Sequence, residues 1–465
     1  MGSDVREWLV NVTASGVTGN ADQVAYFFLR AHSLLSENGT IGLIATNSIA
    51  QGDTREVGLD QMVASGFTIT RSVQSRKWPV STAALEYAAV WGTTGSVAQD
   101  VPRMSDNTYV RHITSLLESA GRVEGNPIAL KQNGRIAFQG CVVLGKGFIL
   151  DPEEAETWIT KDPRYQEVVF PYLNGEDLNS SPDCSASRWI IDFGERGEDT
   201  ASSYSVPWKR VQERVRPERE QKDGTKYPRM VYEWWKFWNS RPGLRKAISE
   251  LDEVLAIARV SNTVMPVRVS PKQTFSEQTI VFATGSYAVE AVLSSSFHYL
   301  WAVKYASTIG AGAGVRYTPT DVFETFPSPE PTDWIHRVGR TLDAERREFM
   351  LRRSVSLTDT YNLINDPRVN GVTDSEIGRL RDIHVELDDA VADSYGWSDI
   401  SLGHGFHTYR KMQRWTVSPA ARVEILDRLL EENHRRAAEE AKQTRPTRSK
   451  GRRGKSASDD QGTLL

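Results

Sequence analysis

A short apolar run near the start of the chain, residues 41–45 (IGLIA), limits the fold more than any other feature. A turn at residues 38–39 leads into it, and such runs are typical of buried strands in parallel sheets. Helical spacing of apolar residues predicts a helix over residues 21–35 before the run and another over about residues 55–64 after it. The apolar face of the first helix comprises Val24, Phe27, Phe28, Ala31, Leu34 and Leu35.

Two further strand candidates follow, at residues 67–73 and 83–91. A parallel sheet needs strands on both sides of its centre, yet only about twenty residues precede the first helix. We therefore expect residues 1–100 to form half of an α/β domain, the other half being encoded elsewhere or lost.

Composition narrows the class of protein. The 465 residues, 39% of them hydrophobic, suffice for two or three domains with real cores. A formal net charge of −4 gives the whole chain no broad attraction for nucleic acid, so charge has to be examined locally. Two cysteines, Cys141 and Cys184, argue against a disulfide framework or a cysteine zinc site. Neither a signal peptide nor a membrane-spanning run is present, which predicts a soluble cytoplasmic protein without membrane association.

The character of the sequence changes along the chain. Residues 101–134 are polar and predict a connector, and residues 135–329 carry short strands, turns and aromatics typical of an α+β region. A proline cluster at residues 326–332 precedes helical patterns over residues 330–440. Residues 441–465 predict a disordered basic tail, for which phosphate contact and simple solvation both remain open.

Motifs for chemistry are scarce, and neither catalytic residues nor metal ligands are evident. The glycines of residues 140–147 superficially resemble a phosphate loop but lack its spacing and the helix after it. Residues 310–314 (GAGAG) predict a turn rather than a ligand cradle. His384 lies on an apolar helical stripe beside acidic residues, where a helix–helix contact is favoured over a metal or catalytic role.

The densest basic and aromatic segment covers residues 208–246, with about twelve Lys/Arg against five Asp/Glu. Two interpretations are equally open. Basic side chains among large aromatics suit a DNA backbone with stacking nearby, and they also suit an aromatic core with arginines stacked on its rim. The arginines that we consider for DNA contact in this segment are Arg214, Arg216 and Arg219.

Together these segments resemble the C-terminal half of the MmeI-like adenine-specific DNA methyltransferases, single-chain restriction–modification enzymes of type IIG/IIL. The resemblance covers roughly residues 21–440 in consistent order. It is carried by residues 21–30 (ADQVAYFFLR), 42–55 (GLIATNSIAQGDTR), 78–84 (WPVSTAA), 171–178 (PYLNGEDL), 188–193 (RWIIDF), 233–235 (EWW), 316–327 (RYTPTDVFETFP), 387–391 (LDDAV) and 395–397 (YGW).

The resemblance implies part of a Rossmann-like methyltransferase sheet, then an α+β target-recognition domain, then an α-helical C-terminal domain. It implies double-stranded DNA as a partner and S-adenosyl-L-methionine as cofactor of the complete enzyme. The family's glycine-rich cofactor motif and its Asn-Pro-Pro-aromatic catalytic motif are absent from this chain. We therefore expect the chain to be inactive alone, and an upstream polypeptide with the other methyltransferase half to be a further partner.

Individual residues can be placed through the resemblance. Trp78 matches an aromatic expected to stack on an extruded base, with a core tryptophan as the alternative. In the target-recognition region, Arg paired to guanine and Asn or Gln paired to adenine are expected, each worth about 1–3 kcal/mol of discrimination. The candidates for the active-site wall are Thr46, Asn47, Asp53 and Arg55. The cluster from Asp53 to Arg55 could instead cap the helix that follows it. The candidates for base contacts are Arg259, Ser261, Asn262 and Arg268.

Three hypotheses for function follow. The first is part of a sequence-specific adenine methyltransferase whose catalytic half is supplied by another polypeptide. The second is a non-catalytic DNA-binding protein or an inactive remnant of a broken gene. The third, an unrelated α/β metabolic enzyme, requires a complete catalytic or cofactor constellation, and the sequence contains none.

Overall fold

The computed structural model describes residues 2–78, 86–98, 100–123, 125–308, 314–409 and 412–443. Several predicted features fall wholly or partly outside these residues. They are the residues after Trp78 in the 78–84 run, the beginning of the strand predicted over 83–91, most of the 310–314 turn, and the basic tail from residue 444 onward.

The first hundred residues contain the predicted succession of helices and strands. Residues 52–64 form one continuous helical stretch, α3 and α4 being joined by a π-helical turn at Glu56–Asp60. The elements are α1 (Ser3–Trp8), α2 (Gln23–Ser33), β1 (Thr40–Thr46), α3 (Gly52–Arg55), α4 (Gln61–Ala64), β2 (Thr68–Lys77) and β3 (Glu86–Thr93). The secondary-structure types predicted from periodicity are therefore confirmed here.

The sheet differs from the parallel arrangement that the sequence suggested. Its five strands follow the order β1-β3-β2-β4-β5, where β4 is Arg103–Ser105 and β5 is Thr108–Val110. The strand β3 is antiparallel to both β1 and β2, so β1 and β2 run in the same direction with a reversed strand between them. The reversed strand departs from the parallel arrangement of which such apolar runs are typical, and residues predicted as a connector add two strands to this sheet.

One border of the sheet carries exposed apolar side chains. Strand β1 pairs only with β3, which leaves its other edge free among the described residues. Ile44 on β1 is 60% exposed, and on the neighbouring α2 Phe27 is 71% and Leu34 68% exposed. Ala25 and Phe28, on the opposite side of α2, are buried in the core. The apolar stripe of α2 is thus wider than the described core can cover, and we call Phe27, Leu34 and Ile44 the edge patch.

Residues 135–329 form the predicted α+β region, which contains two four-stranded sheets and one of three short strands. Its strands are β6 (Ala137–Gln139), β7 (Ile149–Leu150), β8 (Val169–Leu173), β9 (Arg188–Ile191), β10 (Val254–Ala258), β11 (Val260–Ser261), β12 (Val267–Val269), β13 (Thr274–Phe275), β14 (Thr279–Phe282), β15 (Ser307–Thr308) and β16 (Val315–Arg316). Its helices are α5 (Pro152–Lys161), α6 (Gly175–Ser180), α7 (Glu198–Ser202), α8 (Ser205–Arg214), α9 (Arg216–Arg219), α10 (Pro228–Tyr232), α11 (Pro242–Ile248), α12 (Tyr287–Ser294) and α13 (Ser296–Tyr305).

The C-terminal part is helical as predicted, with one addition. Thr332 caps the first helix by accepting a hydrogen bond from the Ile335 N–H, directly after the proline cluster. A two-stranded hairpin interrupts the helices, which the sequence pattern did not indicate. The elements are α14 (Asp333–Arg353), α15 (Leu357–Ile364), α16 (Ser375–Ser394), β17 (Gly405–Tyr409), β18 (Met412–Thr416) and α17 (Pro419–Gln443). No helix in the described residues is long and apolar enough to cross a membrane.

A buried ion cluster joins the middle and C-terminal parts. Glu290 on α12 is fully buried and pairs with Arg268 of β12 at 2.9 Å and with Arg346 of α14 at 3.0 Å. Each arginine also donates to a main-chain carbonyl, that of Gly285 and that of Pro266 respectively. Removing one partner would leave a buried charge uncompensated, so loss of either arginine would be strongly destabilising.

The long helix α17 packs along the segment that leads into the α+β region. The buried side chain of Asn433 donates to the carbonyls of Ile128 and Thr325 and accepts from the Ile128 N–H, at 2.6–2.8 Å. Nearby, the Arg122 N–H donates to Asp427 and the Lys131 N–H to Glu440. The two ends of the α+β region, near residues 128 and 325, are therefore held by the same helix.

Candidate nucleic-acid interface

A cleft of about 880 Å³ lies where the three parts of the chain meet. One wall comes from the ends of β1 and β2 and from the start of β3, the second from the α+β region, and the third from the hairpin and α17. Its lining combines amide, aromatic and basic side chains, among them Asn47, Arg55, Arg76, Asn262, Tyr305, Tyr409 and Arg422. A groove with this lining suits a polar, negatively charged ligand that also has flat aromatic faces.

The first wall centres on a polar cluster at the carboxyl end of β1. Asn47 donates from Nδ2 to Ser75 Oγ at 3.1 Å and to Glu86 Oε2 at 3.3 Å, and Ser75 donates to the same carboxylate. These residues belong to three neighbouring strand ends, so the sheet itself holds them together. Of the four predicted wall residues, Asn47 and Arg55 line the cleft.

Arg55 and the two wall candidates that do not line the cleft make hydrogen bonds or ion pairs with nearby residues. Arg55 is buried and pairs with Asp60 at 3.3 Å. Asp53 accepts a hydrogen bond from the Asn20 N–H, which ties α3 to the segment before α2 instead of capping a helix. Thr46 shares a 2.7 Å hydrogen bond with Ser48, which closes the turn after β1. The contacts of Arg55, Asp53 and Thr46 within the protein therefore hold the first wall of the cleft in shape.

Trp78 lies at the end of β2 with its side chain 40% exposed. Its ring meets Tyr87 edge to face, with centroids 5.5 Å apart. Such exposure contradicts the alternative of a core tryptophan. Stacking on an extruded base stays a prediction for this residue.

The basic and aromatic segment of residues 208–246 turns out to be largely core. Trp234, Trp235 and Phe237 are buried within one cluster, and Arg216 lies over the Trp234 ring at 5.2 Å. Of the two open interpretations, the aromatic core with arginines on its rim is the one that the structure shows. Arg216 also pairs with Glu220 at 2.6 Å, while Arg214 is exposed.

Two arginines predicted to contact DNA are buried. Arg219 is 1% exposed and donates to the carbonyls of Trp234, Val143 and Leu144 at 2.7–3.0 Å, and burial lowers its pKa to about 10. Arg268 is 5% exposed, belongs to the ion cluster with Glu290, and has its guanidinium 3.9 Å from the Tyr287 ring centroid. The expectation of direct DNA contact is therefore corrected for both: their donors serve the protein interior.

The other candidates of the α+β region lie in one segment, residues 259–264, between β10 and β12. Asn262 is exposed and lines the cleft. Ser261 is buried and accepts hydrogen bonds from the Thr263 and Val264 N–H groups at 3.1 and 3.4 Å, so it shapes the turn. Arg259 is half-buried on the strand side of the turn. Arg259 and Asn262 thus keep the exposure that a base or phosphate contact requires.

Arg259 belongs to a basic cluster that sequence reasoning missed. Burial lowers the pKa of Arg259 most, and the neighbouring positive charges of Arg316 and Arg241 lower it further. Across the described part of the chain, none of these three arginines has a carboxylate within ion-pair distance, although the charge of Glu277 acts on Arg259. We call Arg241, Arg259 and Arg316 the arginine cluster. The sequence signals for this cluster were weak: Arg316 is the first residue of the 316–327 run that resembles the family, and Arg241 comes shortly after the aromatic residues 232–238.

Two other sequence candidates have structural roles. His384 is half-buried, its Nε2 lies 3.0 Å from Tyr361 Oη, and desolvation lowers its pKa to about 4. The predicted helix–helix contact is thus confirmed, and no group of three or more potential metal ligands occurs among the residues described. In the 140–147 segment, Arg219 binds the carbonyls of Val143 and Leu144, and a Cβ at Gly140 would lie 2.0 Å from the Ser276 carbonyl oxygen. Close main-chain packing therefore accounts for the glycine.

Comparison with known proteins gives one family match, in the middle of the chain. Residues 123–330 match the family model described as MmeI, target recognition domain. No curated protein sequence shows a significant match. Among solved structures, the type IIL restriction-modification enzyme MmeI in complex with DNA matches with a TM-score of 0.69 at 17% identity. The match covers 94% of this chain and 55% of MmeI, so the chain spans about half the length of that enzyme.

Two other restriction enzymes give weaker matches. The type IIG restriction endonuclease BpuSI matches at 11% identity over 86% of this chain and 53% of its own, with a TM-score of 0.27. The DrdV–DNA complex matches at 10% identity over 85% and 54%, with a TM-score of 0.34. Neither likeness is close enough to support an argument. Residues 123–330 therefore belong to the MmeI target-recognition-domain family, and the chain as a whole shares the fold of part of MmeI.

Proposed function

We propose that this chain recognises a specific duplex DNA sequence as part of a site-specific DNA adenine-N6 methyltransferase of the restriction–modification type. The observation that carries the proposal is the arginine cluster beside the cleft, within the domain that the family model matches. Arginines that repel each other and lack a carboxylate are stabilised by an incoming phosphate or by the acceptor edge of guanine. The exposed Asn262 nearby has the amide that pairs with adenine.

The test is binding of the purified chain to duplex DNA across a range of salt concentrations. We expect Arg259→Ala/Arg316→Ala to bind at least about tenfold more weakly, with a salt slope shallower by about 0.9 for each lost phosphate contact. Arg164→Ala is the matched control, because Arg164 lies in the same domain but is exposed and paired with Asp162 at 2.7 Å. Equal affinity of the double variant and the control, with unchanged unfolding temperatures, would refute the assignment.

We propose that methyl transfer requires residues beyond those described. S-adenosyl-L-methionine needs a loop that brings main-chain N–H groups to the ligand, whereas β1 passes directly into a turn closed by Thr46 and Ser48. The turn after β1 therefore does not supply such a loop. The purified chain should incorporate no label from S-adenosyl-L-methionine into DNA, and robust incorporation would contradict this proposal.

The non-catalytic alternative makes a different prediction. If the chain acts only as a DNA-binding protein or is a remnant, adding the product of an upstream reading frame with an Asn-Pro-Pro-aromatic motif will not produce methylation. If the chain is part of a split enzyme in the cytoplasm, that addition will produce adenine-N6 methylation at one DNA sequence. Mass spectrometry of digested DNA distinguishes the two.

We further infer that the edge patch receives the other methyltransferase half. Its free strand edge offers unpaired main-chain groups, and exposed apolar side chains lie on both sides of it: Phe27 and Leu34 on the side of α2, and Ile44 on the opposite face of β1. Phe27→Glu/Ile44→Lys should abolish co-purification with the upstream polypeptide while leaving DNA binding unchanged. Val372→Glu, at a residue 96% exposed in the C-terminal part, is the control and should co-purify normally.

A further inference from the structure

The 259–264 segment contains a backbone conformation that its sequence does not favour. Val264 has a φ of 52°, in the left-handed region that β-branched residues rarely adopt. The Ser261 hydroxyl stabilises this conformation by accepting hydrogen bonds from the Thr263 and Val264 N–H groups. Strained turns persist only where their surroundings determine them fully, so other contacts to this segment are informative.

Three arginines of the C-terminal part hold the main chain of this segment and of the strand after it. Arg414 on β18 donates from Nη2 to the carbonyl of Asn262. On α14, Arg346 donates to the Pro266 carbonyl at 2.8 Å and Arg347 to the Arg268 carbonyl at 3.2 Å. Of the three, only Arg414 contacts a residue that lines the cleft.

Arg414 is itself fixed in place. Its guanidinium lies 4.4 Å from the centroid of the Tyr299 ring, a residue of α13. The next residue, Trp415, donates its N–H to Asn365 Oδ1 at 3.0 Å, and β18 is paired along its length with β17. The hairpin therefore presents a rigid donor to the Asn262 carbonyl.

We propose that Arg414 is a positioning residue that sets the direction of the Asn262 side chain in the cleft, so that the C-terminal hairpin takes part in the choice of DNA target. This inference rests on the proposed function. The Asn262 amide discriminates adenine only when its oxygen and nitrogen meet the N6 and N7 positions together. A peptide unit free to rotate would lose that alignment while the arginine cluster still held the DNA backbone. Arg414 thus acts on specificity more than on affinity.

The experiment is selection of preferred duplexes from a randomised pool by the full chain, followed by affinity measurements on the preferred and on an unrelated duplex. Arg414→Ala should lower the ratio of the two affinities about tenfold or more at one base-pair position, with affinity for unrelated DNA within about twofold of wild type. Arg379→Ala is the control for charge, since Arg379 is exposed on α16 and pairs with Glu345 at 2.9 Å. An unchanged ratio in Arg414→Ala would overturn the proposal.

A double variant separates positioning from a general loss of structure. In the Asn262→Ala background, Arg414→Ala should cause no further loss at the same base-pair position, because the group it aligns is gone. Additive losses would overturn the proposal. Arg414→Lys keeps the charge but not the planar fork, and it should recover part of the ratio if Arg414→Ala folds poorly. If wild-type protein enriches no sequence at all, the proposed function itself fails, which is a different outcome.

Discussion

The guanidinium of Arg219 lies among main-chain carbonyls, whereas those of Arg259 and Arg316 lie near one another. Arginine has five donors and a permanent charge, so its role depends on what surrounds it. Carbonyl oxygens from two separate segments, residues 143–144 and 234–236, accept hydrogen bonds from Nη1 and Nη2 of Arg219, and this fixes the two segments relative to each other. Within the arginine cluster, Arg241 donates to the Gly140 carbonyl at 3.2 Å and to Gln139 Oε1 at 3.0 Å. The described residues show no such bond for the side chains of Arg259 and Arg316, which is why we assign these two to DNA.

This difference gives a prediction for stability. Arg219→Ala should lower the free energy of unfolding by on the order of 3 kcal/mol, since buried carbonyls lose their donors and the core loses volume. Arg214→Ala, five residues earlier and exposed, should change it by less than about 0.5 kcal/mol. Urea unfolding measures both, and equal effects of the two substitutions would contradict the assignment of Arg219 to the core.

At the scale of elements, α12 and α14 pack at close range around Gly339. A Cβ added at this position would lie 2.1 Å from the Tyr287 carbonyl oxygen and 3.1 Å from the Ala291 Cβ. The ion cluster of Glu290 with Arg268 and Arg346 lies between the same two helices. The glycine therefore allows the approach on which those ion pairs depend.

Gly339→Ala tests this packing. Alanine favours a helix over glycine by about 1 kcal/mol, but overpacking against a main-chain oxygen costs about 1–3 kcal/mol or more. We expect net destabilisation, seen as a lower unfolding temperature. Arg340→Ala, at the exposed neighbouring residue, should leave the temperature nearly unchanged. A gain in stability from Gly339→Ala would show that the helices separate easily.

For the whole molecule, two histidines in the interior contribute to the response to acid. Burial lowers the pKa of His298 and of His384 to about 4 in each case. Between pH 6.5 and 4 the unfolded chain binds protons at these positions and the folded chain does not, so stability falls as pH falls. His404 acts in the opposite sense: Asp388 at 2.9 Å contributes to raising its pKa despite burial, and that stability is lost as pH rises through the raised value.

We expect each of these two histidines to cost about 2 kcal/mol of stability between pH 7.5 and pH 5. Denaturant unfolding at pH 7.5, 6 and 5 measures the slope. His298→Gln and His384→Gln should each flatten it, whatever their effect at pH 7.5. A slope unchanged by both substitutions would mean that the two rings are accessible to protons in the folded protein.

How much of this structure could be predicted from the sequence depends on how far apart in the chain the interacting residues lie. Helical spacing placed the buried residues Ile335, Val338 and Leu342 of α14 correctly, because that signal is local. Strand pairing is not local, so the insertion of β3 between β1 and β2 was missed. The burial of Arg219 and Arg268 was missed for the same reason: the carbonyls and carboxylates that satisfy them come from distant segments.

The contact between α17 and the segment that leads into the recognition domain is made largely through main-chain atoms of that segment. Asn433, Asp427 and Glu440 bind N–H and carbonyl groups near residues 122–131 and at residue 325. Arg122 adds side-chain ion pairs with Glu424 and Glu431. A foreign recognition domain with the same backbone path would offer the same main-chain groups. This contact with α17 therefore suits domain exchange. A relative's recognition domain would be grafted between residues near 128 and 325, and α17 would bind it without further substitutions.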